Sequence, residues 1–142
     1  MELFRKIRER DVEEGKRKEK MILPALRDFF QDDLELVSGY SVMDYRSKTA
    51  LYELKTRTNS VNQFETTMVG WNKIEFCIKQ NKDCYFIFKF TDGLFYIKYS
   101  KILFDTFETR LGGRCDRGVR ELKHYIYIPV NLLTKITVPC DF

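Results

Sequence analysis

Asp44-Tyr45-Arg46-Ser47-Lys48-Thr49-Ala50-Leu51-Tyr52-Glu53-Leu54-Lys55 is the stretch from which the rest of the chain is read. Val42, Leu51, Tyr52 and Leu54 supply the apolar and aromatic content of two strands, and Arg46 to Thr49 a polar turn between them. Side chains alternate along a strand, so Glu53 and Lys55 share a face. A turn at Ser47-Lys48 sets Asp44 opposite Leu51, and one at Lys48-Thr49 sets it opposite Glu53. Both registers put Asp44 on the face of Glu53 and Lys55. No Asn-Gly or Asp-Gly pair chooses between them.

Two carboxylates and an amine on one sheet face suit a divalent cation and the phosphate oxygens it polarises. Acid-x-Lys triplets are common by chance: with 21 acidic residues in 142, roughly two are expected from composition. Glu14-Gly15-Lys16 and Glu121-Leu122-Lys123 are two others. What sets residues 53–55 apart is their strand-like context and an acid at hairpin distance. A solvated surface hairpin is the competing reading.

Asp44 with Glu53-Leu54-Lys55 resembles the core motif of the PD-(D/E)xK nuclease superfamily. The resemblance implies Asp44 and Glu53 as ligands of Mg²⁺ or Mn²⁺, the Leu54 carbonyl as a further ligand, and Lys55 acting on the attacking water or the developing charge. Gly15-Lys16-Arg17-Lys18-Glu19 is similar to the Gly-x-x-x-Glu segment in the first helix of archaeal Holliday-junction resolvases, a branch of that superfamily. By this likeness Glu19 is the third carboxylate, with Glu14 and then Glu13 as alternatives. Phe64-Glu65-Thr66-Thr67-Met68-Val69-Gly70-Trp71-Asn72-Lys73 resembles Thr-Thr-Met…Asn-Lys runs in proteins of large DNA viruses and phages with such a core. There Lys73 leans toward the scissile phosphate or the DNA backbone; a plain helix-surface lysine is the alternative.

Composition frames these readings. A chain of 142 residues with 44% hydrophobic and 15% aromatic residues forms one domain, residues 1–142, with its own core. Its 32% charged residues and the lack of any apolar run of roughly 20 residues argue against a membrane protein. The charged N-terminus does not read as a signal peptide. Cys77, Cys84, Cys115 and Cys140 show no C-x-x-C spacing, and His124 is the sole histidine, so reduced thiols in an intracellular protein are expected. A net charge of +4 permits nucleic-acid binding without demanding it.

In chain order, residues 4–31 read as helix, in one piece or two around Pro24, with Met21, Ile22, Leu23, Leu26, Phe29 and Phe30 as its apolar face. Leu34 to Val37 reads as a short strand and Tyr40 to Tyr45 as the first hairpin arm. Thr66 or Thr67 is placed as the N-cap of a helix to about Gln80. Cys84 to Phe90 is almost continuously apolar, the pattern of a strand buried on both faces. Leu94 to Tyr99 pairs back on it, and Ser100 caps a short helix through Phe107. Leu111 to Arg120, with three glycines, reads as an irregular basic loop in which Arg114, Arg117 and Arg120, beside Arg110, contact DNA phosphate; Arg57 in the polar turn after Lys55 joins them. Residues His124 to Ile128 form a last strand, and Leu132, Leu133 and Ile136 close the core.

The order of elements, with the motif, gives an α/β fold: a mixed central β-sheet with flanking helices and a restriction-endonuclease-like core. The expected activity is metal-dependent endonucleolytic cleavage of DNA. The Gly-x-x-x-Glu likeness points to junction resolution by a homodimer; a homing or repair nuclease, or a nicking enzyme in viral DNA processing, fits the same residues. A catalytically inactive DNA- or protein-binding module on the same fold is the alternative.

Overall fold

The computed structural model describes residues 2–37, 42–114 and 121–137. A long helix, α1 (Glu2–Phe30), opens the chain and runs unbroken through Pro24. Three short antiparallel strands follow as a meander: β1 (Glu35–Leu36), β2 (Tyr45–Arg46) and β3 (Ala50–Thr56). Tyr45 pairs with Tyr52 and Arg46 with Leu51, which selects the Lys48-Thr49 register and brings Asp44, the residue before β2, to the Tyr52–Leu54 stretch of β3.

The chain then leaves the sheet. β4 (Thr66–Gly70) leads into α2 (Trp71–Ile78), and β5 (Asp83–Phe90) returns beside β3, parallel to it. The crossover corrects the sequence reading, which carried one helix from Thr66 or Thr67 to Gln80. Thr66, Thr67 and Val69 are β-branched residues suited to a half-buried strand, and Thr67 and Val69 point inward while Met68 is exposed. Pairing with a later strand overrides the helical spacing downstream. Gly70, in an extended conformation, takes the N-cap position, and no side chain caps the helix.

β6 (Gly93–Lys98) pairs antiparallel with β5 after a turn in which Gly93 has φ 150°, a conformation open to glycine. Ser100 accepts the Leu103 N–H at 3.4 Å and caps α3, which spans only Lys101–Phe104, shorter than expected. β7 (Glu108–Arg114) and β8 (Glu121–Pro129) pair antiparallel. β7 therefore corrects the reading of Leu111 to Arg114 as irregular. Gly112 and Gly113 lie in register with Lys123 and Leu122, held on the β-branched and aromatic partner strand. A short β9 (Thr134–Lys135) joins the edge of β6.

The result is a mixed six-stranded sheet, order β1-β2-β3-β5-β6-β9, and a three-stranded sheet, order β4-β8-β7. The restriction-endonuclease-like α/β expectation holds. β5 is the central strand: Cys84, Phe86, Phe88 and Phe90 enter one apolar cluster with Val69, Ile74, Ile126 and Ile128, while Ile87 enters another with Ile22, Leu26, Tyr45, Tyr52 and Leu94. The first cluster joins the main sheet to α2 and the small sheet; the second seats α1. Ile136 is buried, whereas Leu132 is exposed and does not close the core. Met21 is likewise exposed on the far side of α1. Cys77 and Cys84 are buried free thiols; Cys115 and Cys140 lie outside the described residues.

Asp32, just beyond α1, ties the helix end to the meander. Its Oδ2 accepts from Ser47 Oγ at 2.6 Å and from Tyr52 Oη at 2.7 Å, while Ser47 Oγ also accepts the Ala50 N–H at 3.1 Å. Hydrogen bonds to a charged acceptor stabilise by roughly 1.5–3 kcal/mol each, and losing the acceptor strands the partly buried hydroxyls. Asp32→Ala is expected to lower stability by about 2 kcal/mol in urea denaturation, with an unchanged slope.

Candidate active site

The β2–β3 pairing brings Asp44, just before β2, close to Glu53 on the face turned toward α2. Asp44 is fixed by the backbone: its Oδ2 accepts the Leu54 N–H at 2.8 Å, and its own N–H donates to the Tyr52 carbonyl at 3.0 Å. Glu53 is 3% exposed, an unusual depth for a carboxylate. It is flanked by two amines. Lys55 Nζ, two residues on along the same face, lies 3.6 Å from Oε1, and Lys73 Nζ, from the first turn of α2, lies 3.0 Å from Oε2. The Lys73 contact is an ion pair without hydrogen-bond alignment, so the buried Oε2 has no hydrogen-bond partner; the amine donates instead to the Val42 carbonyl.

Glu19 completes the group from α1. Its side chain hydrogen-bonds Asp44 and feels the charges of Asp44 and Glu53. The turn that carries it is anchored by Tyr45, whose hydroxyl donates to the Glu19 carbonyl at 2.7 Å. Tyr45 is fully buried and was not singled out from sequence, where it read only as strand content; its sole signal is its place next to Asp44. Of the alternatives in α1, Glu13 is exposed; the side chain of Glu14 is outside what is described.

The electrostatics follow from three acids in a partly dry place. Burial, then hydrogen bonding to Asp44 and the charges of Asp44 and Glu53, push Glu19 up to about 8 from 4.5. Burial and Asp44 push Glu53 up to about 7, with Lys55 and Lys73 pulling the other way. Lys55 is held below its ordinary value, first by burial and then by the neighbouring cations Lys73 and Arg57, against the pull of Glu53. Glu19 and Glu53 thus hold protons near neutral pH, and among the described residues no three acidic, histidine or cysteine side chains already stand at metal-ligand spacing. The donor set nevertheless suits a hard cation: carboxylate oxygens, an unsatisfied Oε2, and acid repulsion that added positive charge relieves.

The remaining candidates scatter. Arg57 continues the row of Glu53 and Lys55, but it turns to the small sheet: Nε donates to Thr67 Oγ1 at 3.2 Å, Nη2 donates to the Met68 carbonyl, and the guanidinium lies 5.8 Å from the Phe88 ring centre. It is a link between the two sheets. Arg117 and Arg120 lie outside the described residues, as does the Arg114 side chain; the Arg114 backbone ends β7. Trp71 is half-buried, 5.7 Å from the His124 ring.

A family model described as "Phage putative PDDEXK endonuclease" matches residues 14–136, a span that includes all five grouped side chains. The chain belongs to that family. No curated protein matches the chain, and no solved structure does. No helix among the described residues is long and apolar enough to cross a membrane.

The raised Glu19 and Glu53 have a consequence for stability. A folded-state pKa raised above the unfolded value means that the native state binds more protons, so stability is fully present below about 4.5 and is lost as pH rises through about 7 and 8. Without divalent ions, the wild-type melting temperature is expected to fall between pH 5 and 8, read by calorimetry against these two groups. Glu53→Gln is expected to flatten that slope.

Proposed function

We propose that this PDDEXK chain is a divalent-metal-dependent DNA endonuclease that hydrolyses phosphodiester bonds at the Glu19–Asp44–Glu53 group. The observation that supports this most is the meeting of three carboxylates from α1, the β2 approach and β3 with two lysines at a buried carboxylate. A purely structural hairpin gives no reason to bury Glu53 or to crowd it with acids, since unpaired burial of charge is costly.

Asp44 and Glu53 would hold Mg²⁺ or Mn²⁺, with Glu19 and the Leu54 carbonyl completing the protein's share. When bound, such a cation polarises the scissile phosphate and acidifies a water molecule. The chain's own groups do the rest. Lys55, its amine partly exposed and its proton affinity lowered by burial, sits where it accepts a proton from the attacking water or donates to the developing negative charge. Lys73 offsets the charge of Glu53 and keeps it oriented, with its position set by the Val42 carbonyl. Because Glu19 and Glu53 hold protons near neutral pH, a cation held there would compete with those protons and would be bound more tightly as pH rises.

The DNA is engaged by basic residues of the β7–β8 connection, Arg114, Arg117 and Arg120, acting on backbone phosphate. The likeness of Gly15 to Glu19 to junction resolvases favours branched DNA, cut symmetrically by a homodimer.

The test is cleavage of linear duplex, single-stranded, flap and four-way-junction DNA with Mg²⁺ or Mn²⁺, paired with calorimetry. Mg²⁺ is expected to raise the wild-type melting temperature, since a ligand of the native state stabilises by mass action. Asp44→Asn and Glu53→Gln are expected to lose both the increment and cleavage. Lys55→Ala is expected to keep the increment and lose turnover, because an amine acting in the transition state adds little to metal affinity. Glu19→Gln is expected to reduce both in part. Absence of any metal shift and of cleavage on every substrate would point to a binding module on this fold instead.

A further inference from the structure

On the outer side of the junction between β4 and β8 lies an open cleft of about 510 Å³. Asn62, Gln63, Phe64 and Glu65 of the β3–β4 connection form one wall and Pro129 and Asn131 the other, over Thr66. Thr66 pairs with Pro129 in the small sheet, so the cleft floor is sheet backbone. The wall is not a loose loop. The Arg57 N–H donates to the Lys89 carbonyl at 2.8 Å, Thr91 N–H to Asn59 at 3.1 Å, Val61 N–H to Asp92 Oδ1 at 3.0 Å, and Val130 N–H to the Glu65 carbonyl at 3.0 Å. Val61 anchors the connection in the core, 8% exposed. The cleft is therefore preformed.

Its lining has an unusual chemistry. Phe64 is 58% exposed, and its ring is in contact with no other aromatic ring among the described residues, although many other aromatics form ring contacts inside the fold. Around it stand three carboxamides, each with donor and acceptor, and the Glu65 carboxylate, an acceptor. A flat apolar ring beside amide and carboxylate edges matches a nucleobase, which stacks on an aromatic face and offers donors and acceptors at its rim. A lipid chain would use the ring and leave the carboxamides unsatisfied.

We propose that this cleft takes an unpaired nucleobase of the DNA substrate, stacked on Phe64 and met at its edge by Asn62, Gln63, Asn131 and Glu65. The inference deepens the nuclease reading and rests on it for the choice of DNA. Placement agrees with that role. From Glu53 the chain runs along β3 to Arg57, which bonds the Met68 carbonyl, two residues from Thr66 on the cleft floor. The six strand residues of that path span about 20 Å at roughly 3.3 Å each, to which the Arg57 side chain and its hydrogen bond add, so the cleft lies within about ten nucleotides of strand from the carboxylates. A base that leaves its stack most cheaply is one that is mismatched, bulged or already single-stranded, so the cleft would bias cleavage toward such DNA.

The experiment compares binding of two oligonucleotides, a short single strand and the same strand with abasic sites, by fluorescence anisotropy in EDTA. Phosphate charge is equal in the two, so any difference reports the bases. The wild type is expected to bind the base-bearing strand at least about fivefold more tightly, the lower end of stacking on one aromatic side chain. Phe64→Ala is expected to abolish the preference while keeping the wild-type affinity for the abasic strand and the wild-type rate on fully paired duplex. Asn131→Ala, also at an exposed position, is expected to reduce the preference and serves if Phe64→Ala fails to fold. Equal wild-type binding of both strands, or a preference that survives both substitutions, overturns the proposal. Cleavage of duplex by a wild type without the base preference sinks the cleft and spares the nuclease; the preference without any cleavage does the reverse.

Discussion

Burial of the Glu53 carboxylate is the constraint on which the rest depends. A carboxylate 3% exposed is tolerated only with compensating charge, because transfer of an isolated ion to a dry interior costs several kcal/mol even after relaxation. Lys55 comes with it on the same strand, but Lys73 must be delivered from elsewhere. The β4–α2 crossover delivers it, and β5 then closes the parallel pair beside β3. The connection that a parallel pairing requires in any case also brings the second cation.

Burial and repulsion outweigh the cations at the acids. Lys55 and Lys73 pull on Glu53 and Lys16 on Glu19, yet burial and the charge of Asp44 still raise Glu19 and Glu53 into the neutral range. Such a group holds strain that a ligand of opposite charge relieves, and strain of this kind concentrates at functional sites. The supports around it are built accordingly. Tyr45 fixes the α1 turn at Glu19, the Leu54 N–H fixes Asp44, and Asp32 pins the end of α1 to Ser47 and Tyr52. Arg57, at the end of the same strand face, couples this rigid part to the small sheet and through it to the cleft at Phe64.

Much of this was legible in short-range pattern. The Glu53-x-Lys55 spacing placed two groups on one face by strand geometry alone, and both turn registers kept Asp44 with them. The almost continuous apolar run of β5 announced burial on both faces, and the apolar residues Ile22, Leu23 and Leu26 marked the seat of α1. Less legible were segments whose partner lies far away in sequence. Thr66 to Gly70 carries β-branched residues beside helical spacings, and its ladder with β8, some 60 residues later, settled it as strand. Gly112 and Gly113 disfavour a strand locally, yet β8 holds them in one by pairing across the hairpin.

By itself, then, the sequence determined the chemistry at hand: which acids and amines exist, which of them alternate onto one face, and which segments are apolar enough to be buried. Those are consequences of covalent order and of periods of 2 and 3.6 residues, and they need no partner. Only the tertiary structure decided that Lys73 meets Glu53, that Glu19 reaches Asp44 across 25 residues of chain, and that Arg57 is spent on joining two sheets. Such contacts depend on the packing of two separate apolar clusters on the opposite faces of β3 and β5. That packing is non-local and non-directional, and no spacing within a segment encodes it.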